Sequence, residues 1–247
     1  MSYNLGGKKI LVTGATRGIG RELVDALLKH GAEVYGLASN KDLLDKLVTE
    51  CPDVKPVHVD LGDWDGTRKE LEKLPVMYGI VNNAVYAHEK VPSLVLTNGE
   101  INQSLSVNVL GPINVIQVLG KKMVDSGNGG SIVNMSSIVS INPMRNFMAY
   151  NVSKAALDMV TKQFALEFGP HNIRVNSINP TAVLTEQGRQ FDQSTFSSSM
   201  KSHTPLGRFA EVSEAVNPIL YLLSDCSSMV TGTQHVVDGG ILSNVQT

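Results

Sequence analysis

The chain is poor in aromatic residues, 5% with a single Trp, and its charge leans to neither sign, with 21 Lys and Arg against 23 Asp and Glu. A net charge of −2 argues against a protein that grips nucleic acid mainly by neutralising phosphates. No hydrophobic run approaches the roughly 18 residues a membrane span requires. The N-terminal stretch Met1 to Lys9 lacks a signal-peptide core, so the expectation is a soluble, cytoplasmic protein without a membrane span. Cysteine is almost absent. Cys51 and Cys226 form neither a CxxC motif nor a metal-type cluster, so no metal site is expected. Cys51 ends an apolar helical stripe and reads as a small buried hydrophobe.

What is present is alternation. Runs rich in β-branched residues begin at Ile10, Val34, Val57, Gly79, Ser131, Ile173 and His235, and stretches of helical spacing separate them. About seven nearly continuous apolar strands with intervening helices predict an α/β fold: a Rossmann-like doubly wound parallel sheet with helices on both faces. With no linker and no repeat, residues 1–247 read as one domain. The stretch 185–205 is poor in aliphatic residues. It reads as a surface loop or a mobile substrate lid, with Phe191, Phe196 and Met200 as apolar contacts and Gln187, Arg189, Gln190 or Ser194 as polar ones.

The first strand runs into Thr13-Gly14-Ala15-Thr16-Arg17-Gly18-Ile19-Gly20. Glycines in such a turn let the backbone approach a pyrophosphate, and the following helix offers unpaired N–H groups to it. At the end of the second strand, Leu37-Ala38-Ser39-Asn40-Lys41 carries no acid to accept a ribose 2′-OH. Arg17 with Ser39 and Asn40 can instead meet a 2′-phosphate, which points to NADP(H).

Tyr150 and Lys154 stand four apart on one helical face, in a segment whose apolar stripe is 152, 155, 156, 159, 160 and 164. Ser137 lies thirteen residues before Tyr150, directly after a strand; Asn82-Asn83-Ala84 follows the fourth strand, and Asn108 lies in a helical stretch. Groups at the carboxyl ends of parallel strands sit where such sheets bind ligands.

These pieces, with Asp60-Leu61, Asn179-Pro180, Thr185 and VDGG at 237–240, resemble the short-chain dehydrogenase/reductase family over almost the full length. Within it, the chain is most similar to the branch of dicarbonyl/L-xylulose reductases and tetrameric carbonyl reductases. The resemblance implies a homotetramer using NADPH to reduce small carbonyl compounds. Tyr150 would donate the proton. Lys154 would lower the phenol's pKa by about 3 units and hold the nicotinamide ribose. Ser137 would orient the substrate oxygen, and Asn108 would help hold a water chain. It also implies cofactor contacts from Gly14, Gly18, Ile19, Gly20, Asp60, Leu61, Asn83, Pro180, Val183 and Thr185.

Val85, Thr181 and Ser39 depart from the family's usual glycine, glycine and arginine. Ile138, Met144 and Phe147 would form an apolar substrate wall beside Ser137 and Tyr150, favouring small dicarbonyls and apolar ketones over pentuloses, whose hydroxyls would go unpaired. The alternatives are 3-oxoacyl or hydroxysteroid oxidoreduction, or a non-catalytic NADP(H)-binding sensor. The intact Ser137, Tyr150 and Lys154 speak against the sensor.

Overall fold

In the computed structural model, which describes residues 3–192 and 195–244, the seven apolar runs form seven strands. They are β1 (Lys9–Thr13), β2 (Glu33–Ala38), β3 (Lys55–His58), β4 (Gly79–Asn82), β5 (Gly130–Met135), β6 (Ile173–Pro180) and β7 (Gln234–Val237). All pair in parallel in one sheet of order β3-β2-β1-β4-β5-β6-β7. The order reverses direction between β1 and β4, so a crevice opens at their carboxyl ends.

Alternate strand residues feed two cores. Ile10, Val12, Val81 and Val133 pack with the helices Gly18–Lys29 and Val212–Leu223. Leu11, Ile80, Ile132 and Val175 pack on the other face with Leu71, Val115, Leu119 and Ala165. The two edge strands depart from the expectation of burial on both faces. Of β3 only Val57 is buried, and no residue of β7 is. Pro218 lies inside its helix, which continues to Leu223.

Residues 98–126 form one long helix with two π segments, Ser106–Leu110 and Ile116–Gly120. On the next helix, Met148–Phe168, the buried residues are Ala149, Ser153, Lys154, Leu157, Asp158, Thr161 and Ala165. The apolar stripe seen in the sequence is not that face: Val152 and Met159 are exposed. The polar face turns inward because it finds partners there. Asn134 donates to Thr161 Oγ1 at 2.9 Å and accepts from Asn82 at 2.8 Å, joining β4, β5 and the helix through buried side chains.

The segment expected as a loop is instead two short helices, Glu186–Asp192 and Thr195–Ser202. Local polar bonds replace aliphatic packing. Thr185 Oγ1 accepts from the Gly188 N–H at 3.1 Å, and Lys201 pairs with Asp192 at 2.7 Å across the two helices. The side chains of Gln187, Phe191 and Phe196, and Ser194 altogether, lie outside the described residues. Cys51 is half-buried and packs against the first core, and its thiol also donates to Asp25 and accepts from Arg21, each at 3.3 Å.

Candidate active site

A cavity of about 610 Å³ runs along the carboxyl ends of the strands. It is bordered by Gly14, Arg17, Gly18 and Ile19, by Ser39, Asn40, Asp60 and Leu61, by Asn83, and by Ser137, Tyr150, Lys154, Pro180, Val183 and Thr185. Thr185 lies against the glycine turn, its methyl 3.1 Å from where a Cβ on Gly18 would stand. Nearly every cofactor residue expected from the sequence thus borders one space.

The glycine turn is shaped for an anion. Gly14 and Gly18 have φ of +65° and +55°, and a Cβ on Gly14 would press on the Ala84 backbone at 2.9 Å. The helix Gly18–Lys29 starts with no side-chain cap and no acid in its first turn. By contrast, Asn40 and Asp63 cap the two helices that follow. The uncapped N–H groups and positive helix end suit a pyrophosphate. Gly20 does not border the cavity. A Cβ there would collide with the Gly14 carbonyl oxygen, so this glycine lets the helix pack against the turn.

Around the ribose end, Arg17 makes no ion pair among the described residues. Asn40 accepts from the Leu43 N–H at 2.9 Å, so its oxygen caps a helix while its amide N–H groups remain available. Asp42 lies in that helix's first turn and does not border the cavity. Asp60 accepts from the Gly62 N–H at 2.9 Å. Asn83 donates to the carbonyls of Thr13 and Gly14 at 2.9 and 3.2 Å, so it locks the glycine turn to the end of β4.

Ser137 opens a short turn after β5, its hydroxyl 3.5 Å from the Pro180 carbonyl. Lys154 is 2% exposed and donates to the Met135 carbonyl at 2.6 Å. Its nitrogen lies 5.5 Å from the centre of the Tyr150 ring. Burial pushes the Tyr150 phenol up to about 12, with the adjacent Ser137 hydroxyl acting the other way. Burial pushes Lys154 down to about 8, opposed by Asp158. The lowering expected from Lys154 is not present in the free protein: desolvation sets the direction of the phenol's shift, and the ammonium is directed at a backbone carbonyl.

Asn108 lies in the first π segment, 1% exposed. Its side chain donates to the Tyr86 carbonyl at 2.8 Å and to Ser153 Oγ at 3.0 Å, and accepts from the Tyr86 N–H at 2.8 Å. Both amide hydrogens are used, so the side chain clamps the segment after β4 and has no N–H left for a water chain. It does not bond its own helix backbone either.

The expected substrate wall is set back. Ile138, Met144 and Phe147 do not border the cavity. Ile138 is 6% exposed, while Phe147 meets Tyr150 edge-on with centroids 6.2 Å apart. Sequence reasoning missed several borders, of which two bear on a ligand. Thr181 is buried and lines the cavity with an unpartnered hydroxyl, and Glu186 lines it from the first of the two short helices. The only sequence signal for Thr181 was its standing where glycine is usual. A buried hydroxyl without a protein partner is an open position for a polar ligand group. Together with the glycine cradle and the uncapped helix, it fits a dinucleotide.

A family model described as enoyl-(acyl carrier protein) reductase matches residues 14–242. The chain is 44% identical to an L-xylulose reductase of Mus musculus over 98% of this chain and 100% of that one. It is 42% identical to NADPH carbonyl reductase 2 of Sus scrofa over 99% and 100%. A solved gluconate 5-dehydrogenase of Burkholderia cenocepacia J2315, in complex with NADP and tartrate, superposes with a TM-score of 0.93 at 26% identity, covering 99% of this chain and 98% of that one.

Proposed function

Since the chain belongs to the short-chain dehydrogenase/reductase family, we propose that it is an NADPH-dependent reductase of small carbonyl compounds: α-dicarbonyls, ketones, aldehydes and L-xylulose. The observation that carries this reading is the meeting of Ser137, Tyr150 and Lys154 in one cavity with an uncapped helix N-terminus and with Arg17, which makes no ion pair among the described residues.

NADPH, when bound, supplies a hydride to the carbonyl carbon. Gly14, Gly18 and Ile19 would receive its pyrophosphate, Arg17 and Ser39 its 2′-phosphate, and Thr181, Val183 and Thr185 its nicotinamide end. The Ser137 hydroxyl donates to the substrate oxygen and aims it at Tyr150. The Tyr150 phenol then gives its proton to the oxygen, completing the alcohol. Burial holds the phenol in its protonated form in the free protein, the form that can donate to the substrate oxygen. Lys154, as an ammonium, stabilises the phenolate left behind.

Arg17 supplies the cofactor test. Changing it to Ala should weaken NADPH binding by about 10- to 100-fold, the worth of a charge-assisted bond to phosphate, and leave NADH nearly unchanged. Equal losses, measured by fluorescence titration of both cofactors, would show that Arg17 does not read the phosphate.

Substrate class is tested by a carbonyl panel assayed with NADPH and NADH side by side. Diacetyl should exceed L-xylulose in kcat/KM, because every pentulose hydroxyl left without a partner in a closed site weakens binding, and diacetyl carries none. Absence of NADPH consumption with every member would overturn the reading.

A homotetramer and a cytoplasmic location complete the proposal. Leu110 on the long helix and Val152, Met159 and Leu166 on the next are exposed, an apolar surface suited to a second copy. The location is supported by free thiols at Cys51 and Cys226 and by the lack of a membrane-spanning helix among the described residues. Residues 1–247 act as one domain in this reading, with the helical pair 186–202 flanking the substrate.

A further inference from the structure

Asp158 is 3% exposed and does not border the cavity. It follows Lys154 by one turn on the inward face of the helix Met148–Phe168. Its Oδ2 accepts from Asn179 Nδ2 at 2.8 Å, and its Oδ1 is buried without a partner. The same Asn179 amide reaches Ser140 Oγ at 2.9 Å and the Ser137 carbonyl at 3.3 Å. Ser140 Oγ also donates to the Ser137 carbonyl at 2.7 Å, and Ser177 holds the Asn179 oxygen at 2.8 Å. A buried acid is therefore tied, through one amide, to the turn that carries Ser137.

A carboxylate with one bare oxygen in a dry interior is costly unless a cation offsets it. Among the described residues, the polar groups that neighbouring elements turn toward its helix are uncharged: Ser140, Ser177 and Asn179 from the turn Ile138–Ser140 and β6, Asn134 and the Met135 carbonyl from β5, and Asn108 from the long helix. Tyr150 is the other titratable group near Lys154.

We propose that Asp158 is a positioning residue, the buried countercharge that holds Lys154 as an ammonium while anchoring the Ser137 turn through Asn179. Of the charged groups among the described residues, Asp158 is the one that acts on Lys154, and it raises the lysine's pKa against burial. A neutral lysine could not stabilise the Tyr150 phenolate, so the acid keeps the proton-transfer pair competent at physiological pH. For turnover, the inference rests on the carbonyl-reductase reading. For the state of Lys154, it does not.

The test is NMR of the free protein with lysine labelled at the ε carbon. The Lys154 signal is identified by its loss in Lys154→Arg, and its midpoint near 8 separates it from ordinary lysines. Asp158→Asn keeps the shape and removes the charge, and should lower that midpoint by about one pH unit. Ser140→Ala keeps the bond from Asn179 to Asp158 and removes a link to the Ser137 turn, and should leave the midpoint in place. The alkaline limb of kcat for diacetyl reduction should move down with the midpoint in Asp158→Asn. Should that variant not fold, Asp158→Ser is titrated in the same way. An unmoved midpoint, an equal shift in Ser140→Ala, or a lower melting temperature with an unmoved limb would overturn the proposal. Wild-type protein that consumes no NADPH would instead overturn the carbonyl-reductase reading, and the NMR midpoint would still decide the role of Asp158.

Discussion

Changing Tyr150 to Phe should lower carbonyl reduction by roughly 10²- to 10⁴-fold while leaving NADPH binding close to wild type, the loss falling on kcat. The substitution removes one oxygen and keeps the ring, so the edge contact with Phe147 and the position beneath Lys154 survive. What goes is the proton donor. Neither neighbour can replace it. Ser137 is a far weaker acid than a phenol, and the Lys154 ammonium is directed at the Met135 carbonyl. The measurement is steady-state kinetics with diacetyl, alongside fluorescence titration of NADPH. A folded variant with near-wild-type kcat would remove Tyr150 from the chemistry.

The second large effect is on stability. Lys154 is fully buried, with its pKa moved from 10.5 down to about 8. Between those values the unfolded chain binds a proton that the folded protein does not, so stability rises with pH across that window. Below pH 8 the folded state carries the full cost of the buried cation. At 1.36 kcal/mol per pKa unit this is about 3 kcal/mol. Lys154→Met has no such titration. Its unfolding free energy minus that of wild type should therefore shrink by about 3 kcal/mol between pH 7 and pH 10.5, an interval below the range where Tyr150 ionises in the folded protein. Urea unfolding of both proteins at several pH values measures this directly. A pH-independent difference would mean that water reaches the ammonium and that its desolvation is small. The lysine thus costs stability where the enzyme works, as a charge kept for chemistry commonly does.

How much of this was legible beforehand follows from what each feature depends on. The seven strands announce themselves because residues such as Ile10, Val81 and Ile132 are chosen by burial, which is written in hydrophobicity. The glycine turn is legible because glycine adopts the positive φ at 14 and 18 most readily, and a side chain at 14 would press on Ala84. Tyr150 and Lys154 share a helical face by spacing alone. Other features depend on partners distant in the chain. Nothing near Asn108 says that its amide will clasp Tyr86, and nothing near Asp158 names Asn179. The helix around Lys154 misleads for the same reason: its apolar stripe suggests the core, while Ser153, Asp158 and Thr161 find polar partners inside. The short helices after Thr185 were hidden because local caps and an ion pair hold them, not aliphatic packing. The direction of the Tyr150 shift was missed because desolvation is a property of the assembled site.

The π segment at Ser106–Leu110 has a consequence for how this chain tolerates insertion and deletion. A π turn holds about one residue more than an α turn, and each residue of an α-helix advances the side chains by about 100°. Removing one residue from that segment and tightening it to ordinary α spacing would therefore keep the two halves of the helix nearly in phase, so Val115 and Leu119 could stay in the core. What would be lost is the widened turn that presents Asn108 to Tyr86. Among related chains, a one-residue difference in length between Thr97 and Gly111 should therefore coincide with gain or loss of the π segment, with the core half of the helix unmoved.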